Sequence, residues 1–188
     1  MLEYVPIINK LLAIGMIVLQ VASLILLVSI ILKRSTNNTV LIFFKKYGVA
    51  FAFTVALGSL LLSLLYSEVI GYAACELCII QRYFIYPQVL LLGMALWKPK
   101  KMLINLSALL AFVGMFVSMY HVYVENGGSS DLACSTYQVG AVTCAARYVF
   151  EFGYITVPVM ALTAQIFILL IALNYRYFSK RESIISTN

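Results

Sequence analysis

Four cysteines, one arginine and the single histidine are the residues of this chain best equipped for chemistry. Cys75-Glu-Leu-Cys78 sets two sulfurs three residues apart, on one face of a helix. At a helix start, unpaired N–H groups and a partial positive charge favour thiolate over thiol. As a staple the pair would close a very small ring and remove little chain entropy, so the spacing suits thiol–disulfide exchange better than bracing. Arg82 follows Cys78 by four residues, one turn deeper on the same face. Cys134 and Cys144 lie in the longest polar gap, Glu125–Glu151, which opens Glu-Asn-Gly-Gly-Ser-Ser-Asp and is expected to be mobile. A mobile loop can present a disulfide to a soluble partner and then bring a thiol to a second pair, because exchange requires close approach of sulfurs.

The elements that must position these groups are membrane helices. Of the 188 residues, 63% are hydrophobic and 11% charged, and the mean hydropathy is +1.00, far from the roughly 45–50% apolar and about 25% charged composition of soluble domains. The formal charge of +6 would suit nucleic acid only if its cations shared one exposed face. They sit instead at the ends of apolar runs, so no nucleic-acid partner is expected and membrane lipid is. A span takes about 20 apolar residues. Five are expected, near residues 11–32, 47–67, 77–97, 102–124 and 152–175. The third is the unusual one, since only the 15 residues Tyr83–Trp97 separate Arg82 from Lys98, about 22 Å of helix. To reach bilayer length that helix must begin near Leu77 or Cys78, which places Arg82 inside it. A buried cation in a membrane usually marks function, although Arg82 can also serve as an interfacial anchor that snorkels to head groups. His121 falls near the end of the fourth span at similar depth, where it can exchange a proton or act as a plain interfacial residue.

Orientation follows from the basic residues, which are retained on the cytoplasmic side. Ten of the thirteen fall in the gaps after the first and third spans and in the tail, while six of the seven acids fall on the opposite side. The N-terminus and all four cysteines are therefore expected outside and the C-terminus inside, in the cytoplasmic membrane. The first span is longer than a signal-peptide core and lacks a small-residue cleavage site, so a retained helix is expected. The fold class is an all-α integral membrane protein, one domain over residues 1–188, with extracytoplasmic loops at 68–77 and 125–151. An outward location permits disulfides. Two readings compete with a redox role: loop staples, including a Cys134–Cys144 pair that merely closes its own loop, and an all-thiolate zinc site. Zinc is disfavoured because nine residues separate Cys134 from Cys144. A thioredoxin-like fold is excluded, as no βαβ pattern surrounds the motif.

Cys75-Glu-Leu-Cys78-Ile-Ile-Gln81-Arg82, with Tyr86-Pro87 beyond it, resembles the signature of the disulfide bond formation protein B family of membrane thiol:quinone oxidoreductases. Tyr120-His121 and Phe152-Gly153-Tyr154-Ile155-Thr156-Val157-Pro158 add to the resemblance, the latter being most similar to the short Gram-positive homologues, and the likeness covers roughly Gly58 to Leu173. The resemblance implies a four-helix bundle core, to which residues 11–32 add one further N-terminal helix of no assigned role. It implies that a thioredoxin-like, DsbA-like dithiol oxidase exchanges with Cys134 and that Cys144 pairs transiently with Cys75. It further implies that Cys78 faces a membrane quinone, ubiquinone or menaquinone, and that Arg82 and His121 help to bind it. The second cysteine pair is closer together than in the best-studied members, which leaves Arg147–Phe152 as the segment expected to replace a membrane-lying helix. Two other functions are kept in view. A vitamin K epoxide reductase-like protein carries its C-x-x-C after the loop pair, whereas here it comes first; a membrane scaffold or thiol sensor would hold static disulfides.

Overall fold

A computed structural model describes residues 5–32, 39–98, 100–128, 144 and 147–185. Among them five helices are long and apolar enough to cross a membrane: α1 (Val5–Ile31), α2 (Thr39–Leu64), α3 (Glu76–Trp97), α4 (Lys101–Glu125) and α5 (Val157–Ile185). Each arises from an apolar run that can satisfy its backbone only within itself once water is excluded. The helix α2 begins at Thr39, ahead of the charges that bound its apolar run at Lys45 and Lys46. Helical pairing does not stop at the hydrocarbon edge, and Lys45 Nζ lies 5.2 Å from the Phe178 ring centroid. Beyond Leu64 the helix widens into a π turn, Leu65–Val69. The last helix starts at Val157 instead of Phe152, because Phe152 at φ 52° and Gly153 at φ 80° turn the chain back on itself. That turn is closed by Glu151 N–H to Ile155 O, 3.0 Å, and Ile155 N–H to Glu151 O, 2.9 Å. Arg147–Phe152 is accordingly not the membrane-lying helix expected from the sequence: it is a non-helical strap with Val149 buried beneath it.

The bundle is a ring of four with one outrider. Helix α5 packs against α4, α2 and α1, while α3 closes the ring between α2 and α4. In the membrane-length stretch of α5, 56% of residues are buried in protein, against 17% in α1. This makes α5 the central post and leaves Ile14, Val18, Val21 and Ile25 of α1 facing outward, as lipid contact requires.

Lipid tails are as apolar as leucine, so close packing and polar contacts hold membrane helices together. Gly48 on α2, Gly93 on α3 and Gly114 on α4 each sit where an added Cβ would press on a neighbour, at 3.1 Å from Ile171, 3.2 Å from Phe53 and 2.9 Å from Gln165. Gln88 Nε2 donates to Gln165 Oε1 at 2.8 Å, and Gln81 Nε2 to Ser118 Oγ at 3.3 Å. Replacing Gln88 by leucine is expected to cost about 1 kcal/mol in detergent unfolding because Gln165 is left unpaired. The Gln88→Leu/Gln165→Leu double variant should recover much of that loss, whereas two simply additive losses would mean that the two amides are not coupled.

Candidate functional site

Cys75 occupies the N-cap of α3, its backbone extended at φ −71° and ψ 166°. Its sulfur takes the place that a Ser, Thr, Asp or Asn oxygen commonly fills at a cap, accepting from the Cys78 N–H at 3.4 Å. Because α3 begins at Glu76, Cys78 falls in its first turn and Arg82 in its second. The two sulfurs lie 2.9 Å apart as free thiols. Across from them, His121 near the end of α4 is 2% exposed, with Nε2 at 3.6 Å from the Cys75 sulfur.

Cys75 thus contacts the Cys78 sulfur, the Cys78 N–H and the His121 ring, and its surroundings favour the thiolate. The Cys78 thiol beside it lowers its pKa most; burial opposes this, and the hydrogen bond and charge of His121 pull it down further. The net direction is well below the ordinary thiol range. Among the described residues, Cys75, Cys78 and His121 bring their ligating atoms within 4.8 Å of one another, three groups where a structural zinc site takes four.

Arg82 is held from α2: its Nε donates to Ser63 Oγ at 2.8 Å and its Nη2 to the Ser63 carbonyl at 3.0 Å. These bonds use two of the five guanidinium donors. Both bonds fasten α3 to α2 just before the π turn. Such widened turns recur at functional sites.

Cys75, Cys78, Arg82 and His121 all line one cavity of about 530 Å³, within the range that holds small-molecule ligands. Its polar lining at this end gives way to Leu12, Met16, Leu19, Val55 and Ile85. The donor set and shape fit a molecule with a polar ring and an apolar body: Arg82 has N–H groups to spare, and His121 Nδ1 is buried with no hydrogen-bond partner. A quinone has that form.

Cys144 comes to the same place. It is 3% exposed and disulfide-bonded, and it is buried in one apolar cluster with Cys75, Leu77 and Val124. The chain after it is tied to α4: Arg147 Nη2 donates to Glu125 O at 3.2 Å and to Asn126 Oδ1 at 3.0 Å. Thr156 Oγ1 donates to the buried Glu125 carboxylate at 2.7 Å. Cys134 lies outside the described residues.

Several contributors escaped the sequence reading. Tyr72 stacks on Tyr148 at 4.6 Å and on Tyr66 at 6.0 Å, a column that joins the approach to Cys75 with the strap after Cys144 and borders the cavity. No local pattern marks these rings as partners. A signal did exist on α2 and the π turn that continues it, where Ser59, Ser63 and Ser67 recur every fourth residue and all line the cavity, one polar stripe on a membrane helix.

The model of the disulfide bond formation protein DsbB family matches residues 45–175. Probable disulfide formation protein C 2 of Bacillus anthracis is 30% identical over 139 residues, covering 73% of this chain and 95% of that one. Disulfide bond formation protein C of Bacillus subtilis is 37% identical over 122 residues, covering 63% and 85%. A probable disulfide formation protein of Oceanobacillus iheyensis is 38% identical over 118 residues, covering 59% and 76%. No solved structure matches the chain. With a cysteine pair capping a membrane helix, a cavity beneath it and this shared sequence, the chain belongs to the DsbB family of disulfide bond formation proteins and is a multi-pass membrane protein.

Proposed function

We propose that the protein is a membrane thiol:quinone oxidoreductase that reoxidises a thioredoxin-like dithiol oxidase outside the cytoplasmic membrane and so drives disulfide formation in exported proteins. The observation that carries this reading is the packing of buried Cys144 in one cluster with Cys75, which together with Cys78 and Arg82 lines one cavity. The charge distribution supports an outward position for all four cysteines, since most of the basic residues gather at the far ends of the helices.

The chemistry then runs through two disulfides. The partner's dithiol gives two electrons to the Cys134–Cys144 disulfide, leaving the partner oxidised and both loop cysteines as thiols. The Cys144 thiolate attacks Cys75 of a Cys75–Cys78 disulfide, forming Cys75–Cys144 and releasing Cys78. Cys134 then attacks Cys144, restoring the loop disulfide and expelling Cys75 as thiolate. A low leaving-group pKa speeds that departure, and the contacts around Cys75 supply it. A quinone bound in the cavity would take the two electrons and two protons of the Cys75/Cys78 dithiol and become quinol. Arg82 orients the ring by its spare N–H donors, and the unpartnered His121 Nδ1 is placed to hydrogen-bond to it or to transfer a proton.

Purified protein supplied with a reduced thioredoxin-like oxidase is expected to reduce a soluble quinone. Cys78→Ser should abolish this turnover, and a variant that retains it would exclude Cys78 as the exit point. In the same assay Arg82→Leu should raise the quinone KM about tenfold or more, since hydrogen bonds to a charged group contribute roughly 1.5–3 kcal/mol. The depressed pKa of Cys75 has its own signature. Between pH 9 and 6 an ordinary thiol loses about two hundredfold of its thiolate, whereas alkylation of Cys75 should slow only slightly, because the anion persists below the usual range. A full two-hundredfold loss would show that Cys75 is not activated.

A further inference from the structure

The family match covers residues 45–175 and leaves α1 outside it. Yet α1 is not a loose addition to the bundle. Its Gln20 donates through Nε2 to Thr163 Oγ1 at 3.3 Å and accepts from the Tyr154 hydroxyl at 2.8 Å. Eleven residues earlier on the same helix, Asn9 accepts a hydrogen bond from the Tyr66 hydroxyl. These polar pins bracket the stretch that turns Leu11, Leu12, Gly15, Met16 and Leu19 into the cavity wall.

Glycine inside a helix costs roughly 1 kcal/mol relative to alanine, and close packing accounts for it at Gly48, Gly93 and Gly114, each with a neighbour that a Cβ would crowd. Gly15 on α1 and Gly58 on α2 are different. Both line the cavity, and a Cβ built on either meets no atom within 4 Å. What a side chain there would occupy is cavity space. The cavity also extends along α2 and its π turn from Thr54 to Ser67, about 20 Å by helical rise, so it reaches well past the polar groups around Cys78 and Arg82.

We infer that α1 is the outer wall of the acceptor site and that Gly15, together with Gly58 on α2, sets the width of a channel for the isoprenoid tail of the quinone. The inference rests on the thiol:quinone reading and adds a tail-selecting element to it. The head of the acceptor is held by groups on α3 and α4; its tail runs between α1 and α2 where two side chains are missing.

The test uses the full-length protein in detergent and measures equilibrium binding of two quinones with the same ring, one bearing two isoprene units and one without a tail. Wild type should bind both, the tailed form more tightly. Gly15→Leu and Gly58→Leu should each weaken binding of the tailed quinone about tenfold and change that of the tailless ring by less than about twofold. The thermal midpoint without quinone should hold or rise, since leucine is the better helix former. Gly15→Ala should fall between wild type and Gly15→Leu. Unchanged affinity for the tailed quinone, or an equal loss for both, overturns the tail channel while leaving the acceptor site intact. Displacement by the variants of co-purified phospholipid, with quinone affinity unaltered, would identify the channel as a lipid site instead. A wild type that binds neither quinone contradicts the underlying reading itself.

Discussion

Everything at the site depends on where α3 begins. The residues between Arg82 and Lys98 are too few to cross a bilayer, so the helix has to recruit Glu76–Arg82 to reach its length. This draws Arg82 below the helix start and makes Cys75 the cap. The consequence is chemical as well as geometric. At the cap the Cys75 sulfur meets the Cys78 thiol and His121, which favour its thiolate, and the backbone N–H it accepts adds to them. One length constraint therefore places the sulfurs at the membrane edge, activates one of them, and points the guanidinium toward the cavity below.

The rest of the bundle maintains that arrangement. Ser63 anchors Arg82 from α2, His121 approaches Cys75 from α4, and the strap after Cys144 is clamped onto the end of α4 through Glu125, Arg147 and Thr156. Each contact comes from a different helix or strap, yet all meet at one end of the bundle. The deeper interfaces carry glycines and paired amides, which keep the helices close enough for the end to stay assembled. Where glycines lack a neighbour, on α1 and α2, the bundle opens into the cavity.

The five spans, the C-x-x-C pair and the depth of Arg82 were legible in the sequence because each depends on a local run: apolar length, residue spacing, charge position. The meeting of His121 with Cys75 was legible only as similar depth on two helices, not as contact. What escaped were features made by tertiary approach. Gln20 stands out as a polar residue in an uncharged run, but its partners Thr163 and Tyr154 lie more than 130 residues away, and nothing local names them. The strap Arg147–Phe152 was read as a helix replacement because a comparison of loop lengths suggested one; Phe152 and Gly153 at positive φ, with Val149 and Ile155 buried, decide otherwise. The Ser63 bonds of Arg82 escaped for the same reason, since nothing local names α2 as the neighbour of α3.

The central claim is that Cys75 and Cys78 hand their electrons to a quinone in the membrane, and thiol trapping in native membranes tests it most directly. With the quinone pool oxidised, both cysteines should be protected from alkylation as a disulfide; with the pool depleted or reduced, both should become labelled, and re-adding oxidised quinone should protect them again. A thiol count at Cys75 and Cys78 that ignores the quinone pool would contradict the account.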